Sequence, residues 1–296
     1  AAAIMLALGS PELDILGITT VAGNVPLART STNARIILEF CSRPEVKVFA
    51  GADRPIARPL ITAEHVHGKT GLDGPALHEP EMPLQAQHAV DFIIETLRRE
   101  PAGTVTLCTL GPLTNIATAL EKAPDIAGRV RELVMMGGGF FEGGNITPAA
   151  EFNIYVDPEA AAAVFQAGIP IVMMPLDVTH KVLTLKSRVA RLRDIGSRPA
   201  IALVEMLDFF ERFDVEKYGF AVGRLRGPTV VAYLFKPELV AGRDCNVVVE
   251  TASPLTSGMT VVDWWQVTGR RHNARVMKDV DADGFFDLLT ERVGRL

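Results

Sequence analysis

One alternation constrains this chain most: five short, nearly continuous apolar runs separated by amphipathic stretches across its first two-thirds. The runs are residues 15–21 (ILGITTV), 46–50 (VKVFA), 104–110 (TVTLCTL), 132–136 (ELVMM) and 169–174 (IPIVMM). A strand that is apolar at successive positions, rather than at every second one, is a strand covered on both faces. Between them residues 27–41, 84–100, 112–122 and 158–167 read as helices. Pro26, Pro112 and Pro158 stand at or near their starts, where a missing N–H costs nothing. Strand and helix alternating in this way predict an α/β fold: a mainly parallel central sheet with helices on both faces and a Rossmann-like core. Helices around 200–213 and 229–235 and β-rich runs at 246–251 and 259–262 follow, and no repeat or linker divides residues 1–296 into two domains.

Composition narrows the partners. The net charge of −5 supplies no basic field for a polyanion, so nucleic acid is not expected as a partner. Cys41, Cys108 and Cys245 are odd in number and far apart, which suits neither a disulfide framework nor a metal cluster but does suit a reducing cytoplasm. The apolar opening AAAIMLAL has no basic residues before it and is too short to span a bilayer, so no membrane association is expected.

In an open parallel sheet, ligands collect beyond the carboxyl ends of the strands. The residues there are Gly23-Asn24, Gly51-Ala52-Asp53, Gly111-Pro112, the glycine-rich stretch 137–144, and Pro175-Leu176-Asp177. The chain contains no G-x-S-x-G elbow, Walker A loop, H-E-x-x-H or C-x-x-C. The glycines at 137–144 are a poor dinucleotide loop, because NITPAA (145–150) does not open a helix. Asn145, Glu151 and Asn153 mix amide and carboxylate groups, as recognition of a polyol requires, though caps and turns use the same residues. Asn24 carries the same ambiguity. His65 and His67 could form a metal pair on a strand, with a solvent-exposed loop as the plainer reading for His65, and Asp73 reads as a turn residue.

Taken together, TTVAGN (19–24), HGKTGLDG (67–74), LGPLTNIA (110–117), NITPAAEFNIYVD (145–157) and PTVVAYL (228–234) closely resemble the inosine–uridine preferring nucleoside hydrolases, in order and spacing over essentially the whole chain. The resemblance implies an enzyme of purine or pyrimidine salvage that hydrolyses the N-glycosidic bond of ribonucleosides to ribose and free base. It implies one calcium ion at the pocket floor, and a homodimer or homotetramer. Carried over by position, Asn145, Glu151 and Asn153 would grip the ribose, with Asn24 and His67 beside it and Phe152 packed against the sugar. The backbone carbonyl of Leu110 would be a calcium ligand. Phe209, Phe210 and Phe213 would stack on the base or, equally, pack in the core.

Two departures bear on activity. The family's opening strand and Asp-rich metal loop precede a helix that resembles residues 1–8, so those aspartates are not in this sequence. The family's His-Asp pair before Pro-Thr is here Arg226-Gly227, which offers neither a general acid at neutral pH nor a ligand side chain. The expectation is therefore a nucleoside hydrolase, impaired and poor at holding calcium. The alternatives are a non-catalytic ribose or nucleoside binder and, more remotely, a metallohydrolase built on His65 and His67.

Overall fold

The computed structural model describes residues 1–218 and 222–296, except for the side chains of 213–218. In chain order the elements begin with α1 (Ala2–Leu8), β1 (Ile18–Thr20), α2 (Leu27–Phe40), β2 (Val48–Ala50), α3 (Glu64–His67) and α4 (Ala89–Arg99). Then come β3 (Val105–Thr109), α5 (Thr114–Lys122), β4 (Val130–Met136), α6 (Phe152–Val156), α7 (Pro158–Gln166), β5 (Ile171–Met174) and α8 (Leu176–Thr179). The last third holds α9 (Lys186–Asp194), α10 (Arg198–Tyr218), α11 (Pro228–Tyr233), β6 (Val240–Cys245), β7 (Val247–Val249), β8 (Thr260–Val262), β9 (Ala274–Val280) and α12 (Ala282–Val293). All five apolar runs contain a strand, shorter at the start than the run in every case but β4.

The single expected sheet is divided among the described residues. A five-stranded sheet runs β3-β4-β5-β9-β6, parallel except for β6, while β1 and β2 form a separate parallel pair and β7 and β8 an antiparallel one. Strand β9 was not legible because ARVMKDV alternates charge with apolar residues, a pattern that also suits a surface strand. Its position beside β5 makes it central.

Two-sided burial holds for the inner strands. Leu133, Met135, Ile171 and Met173 pack with the buried faces of α4, α5 and α7, while Val134, Met136, Val172 and Met174 pack on the opposite face with Val178 and Val230. Successive residues of one strand thus feed opposite layers, as the two-residue period requires. The expectation fails for β3, an edge strand of this sheet on which Cys108 is exposed.

The helices follow from local chemistry. In α4, Ala89, Val90, Ile93, Ile94 and Leu97 form one buried stripe at helical spacing, and the Nδ1 of His88 accepts the N–H of Val90 at 3.3 Å. The first-turn Pro158 of α7 sits beside the buried carboxylate of Asp157, which accepts the N–H of Ala160 at 3.1 Å. Among the described residues, no helix is long and apolar enough to cross a membrane.

Candidate functional site

The loop after β4 is held rigidly before any ligand is considered. Gly138 has φ +78°, and a Cβ there would lie 2.3 Å from the Met173 side chain, so only glycine fits. Asp177, at the start of α8, accepts the N–H groups of Phe140, Phe141 and Glu142 at 2.9–3.1 Å. The hydroxyl of Thr260 accepts the N–H of Gly139 and donates to its carbonyl. Residues 145–150 contain no helix, which removes the dinucleotide-loop reading.

Glu151 ends this loop and caps α6. Its Oε2 accepts the N–H groups of Gly138 at 3.0 Å, Asn153 at 2.9 Å and Ile154 at 3.4 Å. Asn145 Oδ1 accepts the N–H of Phe152 at 2.9 Å, and Asn153 donates its side-chain N–H to the carbonyl of Met136 at 3.0 Å. Capping and ligand binding were alternatives in the sequence. Here the caps are made, and the same three side chains line a cavity of about 340 Å³, a volume at the lower end of small-molecule sites.

Asn24, His67, Leu110 and Phe152 line that cavity too, together with Phe209, Phe210, Arg224, Arg226 and Gly227. The loop of Asn24 is tied to α3 by the N–H of Ala63, which donates to the Asn24 carbonyl at 2.8 Å. His67 stacks on Phe210 with ring centres 5.2 Å apart. His65 and His67 stand on the helix α3 rather than on a strand, and His65 is exposed. A metal pair on a strand is therefore ruled out: on one short helix, residues two apart point in different directions. Phe213 lies outside the described side chains. Asp73, read as a turn residue, does accept the N–H of Thr70 at 3.1 Å, and it also lines the cavity. Asp177 and Thr260 act at a distance through backbone N–H groups. The position of Asp177 just past an apolar run was the one sequence signal for it, and Thr260 gave none.

Two groups lining the cavity, the buried Glu151 and the half-buried His67, have displaced proton affinities. Burial pushes the Glu151 carboxyl up to about 7, against the N–H groups of Asn153 and Gly138 and the charge of Arg226. Burial, reinforced by the Arg226 guanidinium, lowers His67 to about 4. Their effects on stability have opposite signs. From the ordinary value of 4.5 up to about 7, the native state keeps a proton on Glu151 that the unfolded chain releases, so this contribution declines as pH rises. From about 4 to 6.5 the unfolded chain binds a proton at His67 that the native state refuses, so that contribution is lost as pH falls. Urea unfolding at several pH values checks both. The stability of the parent minus that of Glu151→Gln should fall between pH 4.5 and 7, and the difference from His67→Gln should rise between pH 4 and 6.5. A flat difference for either variant would show that its group is not buried as described.

The resemblance implies calcium, and the oxygen donors around the cavity decide whether it fits. Calcium takes about 6–8 oxygens, several of them carboxylate. Among the described residues, no group of three or more His, Cys, Asp or Glu side chains is placed to hold a metal ion. Position 227 has no side chain, although a Cβ would meet only Leu110 and Ala3 atoms at 3.7–3.8 Å. Position 226 puts a fixed cation into the same cavity. The residues described here do not fit calcium.

Comparison with known proteins points one way. The family model described as inosine-uridine preferring nucleoside hydrolase matches residues 1–287. A pyrimidine-specific ribonucleoside hydrolase, RihA of Salmonella paratyphi B, is 48% identical over 294 residues, covering 99% of this chain and 94% of the relative. An uncharacterised protein of Schizosaccharomyces pombe is 50% identical over 292 residues, with the same coverage. Among solved structures, the purine-preferring ribonucleoside hydrolase from Gardnerella vaginalis superposes with a TM-score of 0.92 at 30% identity, covering 99% of this chain and 94% of its own.

Proposed function

Since this chain belongs to the inosine-uridine preferring nucleoside hydrolase family, and hydrolyses ribonucleosides to ribose and free base, we propose that the cavity beneath α10 is where that reaction takes place and that pyrimidine nucleosides are its preferred substrates. The base preference is supported by the 48% identity to a relative named as pyrimidine-specific, against 30% to the purine-preferring structure. The observation that carries the site is the trio of Asn145 and the buried Glu151 and Asn153, whose bonds to the backbone fix them around one cavity. Nothing favours the non-catalytic alternative.

In this reading Glu151 and Asn145 meet the 5′ side of the ribose, Asn153 and Asn24 its ring hydroxyls, and Phe152 its carbon face. His67, kept neutral by burial, can donate one hydrogen bond and accept another without carrying charge into the pocket. Phe209 and Phe210 offer flat apolar faces to the base. Glycosidic cleavage leaves the bonding electron pair on the departing base and positive character on the sugar carbon. Arg226 is a poor proton donor at neutral pH, but its fixed charge can offset negative charge gathering on the base. Calcium and a homodimer or homotetramer are supported by family resemblance alone, and a cytoplasmic setting by an odd set of three widely spaced cysteines.

The test is ribose release from uridine, cytidine, inosine and adenosine by the purified chain, with and without added calcium. Release that is faster from the pyrimidine nucleosides is expected. Faster purine turnover would overturn the base preference. Turnover unchanged in variants of Asn145, Glu151 and Asn153 would move the reaction out of this cavity.

A further inference from the structure

Residues 68–74 form a loop that holds one carboxylate in place. Asp73 Oδ2 accepts the N–H of Thr70 at 3.1 Å, and Asn33 of α2 donates to the Thr70 carbonyl at 2.7 Å. The same Oδ2 lies against the backbone of Gly68, where φ is +76° and a Cβ would stand 1.8 Å from it, so only glycine lets the carboxylate in. Among the described residues, Oδ1 makes no hydrogen bond or ion pair. Asp73 is half-buried and lines the cavity. A fixed carboxylate therefore brings one uncommitted oxygen to the site.

The loop belongs to the wall of the base. Leu72 packs in the same buried cluster as Leu203 and Leu207 of α10. The backbone of Gly74 abuts the Glu205 carbonyl of that helix, which a Cβ would meet at 2.5 Å. Phe210, which offers its face to the base, stands on α10 too. Phe152, placed against the sugar, packs instead with Ala63, Val66 and Ile146.

A carboxylate accepts hydrogen bonds and donates none. Cytosine and uracil have nearly the same outline, but at C4 cytosine presents an NH₂ donor where uracil presents a carbonyl acceptor. Asp73 attracts the first and repels the second, and it cannot turn away without giving up Thr70. We propose that Asp73 makes this pocket selective for pyrimidine ribonucleosides that carry an exocyclic amino group, cytidine over uridine, by accepting that group's N–H at Oδ1. This rests on the assignment of the cavity as the ribonucleoside site and adds the edge of the base that it reads. A carboxylate here also opposes the negative charge gathering on a departing base, but that effect acts on both bases alike and cancels when the two are compared.

The experiment measures kcat/KM for cytidine and uridine in the parent, Asp73→Asn and Asp73→Ala proteins. Where cleavage is too slow to follow, dissociation constants from calorimetry give the same ratios. The different intrinsic reactivities of the two nucleosides drop out when the cytidine-to-uridine ratio of each variant is divided by that of the parent. Asp73→Ala should lower the ratio about tenfold, the discrimination typical of one base-edge hydrogen bond. Asp73→Asn should lower it further, since its carbonyl can still accept from Thr70 while its NH₂ replaces Oδ1 and now favours uracil. Thermal unfolding shows that each variant keeps its fold, and the asparagine variant, which retains the Thr70 bond, carries the test if alanine disturbs the loop. A residue that only shapes the loop would reduce both nucleosides equally and leave the ratio unmoved. A ratio that stays within twofold of the parent in the asparagine variant, or rises, overturns the proposal while turnover or binding leaves the site assignment standing. Failure of the parent to bind or cleave either nucleoside removes the site assignment and this proposal with it.

Discussion

Glu151→Gln is expected to keep the fold and lose ribose recognition, lowering ribonucleoside affinity or kcat/KM by roughly 10²-fold. The substitution separates the two roles of this side chain. Its Oε2 accepts three backbone N–H groups, from Gly138, Asn153 and Ile154, and a glutamine carbonyl can accept the same three. The second oxygen is not used in those bonds, and above about pH 7, where the carboxyl is ionised, glutamine puts an NH₂ donor in place of that acceptor where a ribose hydroxyl would sit. A buried polar mismatch of this kind costs about 2–3 kcal/mol, which sets the fold-change. Glu151→Ala is the contrasting variant. It strands three N–H groups as well, so stability should drop together with binding. A glutamine variant that binds and turns over like the parent would mean that Glu151 is only a helix cap.

The second large effect is structural. Asp157→Ala should destabilise the protein by on the order of 3–4 kcal/mol, read as a lower urea midpoint at unchanged slope. Asp157 is completely buried. Its carboxylate accepts the Thr114 hydroxyl at 2.7 Å, the N–H of Ile56 at 3.0 Å and the N–H of Ala160 at 3.1 Å. Those partners belong to α5, to the loop after β2 and to α7, so one side chain fastens three parts of the chain separated by up to 101 residues. Alanine leaves three donors without an acceptor. Asp157→Asn should recover part of the loss, because its carbonyl can still accept while its NH₂ meets donors. An alanine variant within 1 kcal/mol of the parent, outside the usual range for such losses, would show that water replaces the carboxylate. Because α6 leads directly into Asp157, the same variant should also disturb Asn153, and nucleoside binding should weaken even where the protein remains folded.

Both residues stand in NITPAAEFNIYVDP, the string that carried most of the family resemblance, yet the sequence treated them unequally. Glu151 was legible as a candidate because a carboxylate flanked by two asparagines is an unusual grouping after a buried strand. Asp157 was visible only as the residue before a helix-opening proline. That it reaches Ile56 and Thr114 depends on three loops converging at one end of the sheet, which no local pattern records. Thr260 was out of reach for the same reason, and Asp177 was marked only by its place past an apolar run, since each holds the 137–144 loop through backbone N–H groups, and a backbone donor leaves no mark on residue type. The plainer reading of His65 as solvent-exposed holds, on the short helix α3 rather than in a loop, and the metal-pair alternative fails because histidines at i and i+2 share a face only in a strand.

The sequence alone determined the fold class, the five runs that become β1 to β5, and the set of polar residues beyond their carboxyl ends. These follow from local periodicity and from burial on both faces, which are properties of short segments. It also determined the departure at Arg226-Gly227, because residue identity decides whether a side chain can give up a proton or ligate a metal. Only the tertiary structure decided that β9 is central and β3 an edge, that the described strands form separate sheets, and that Arg224 and Arg226 face the same cavity as Glu151. Those facts depend on contacts between residues far apart in the chain. A pairwise contact of that kind is set by the packing of whole layers, so it can be read only once the layers are in place.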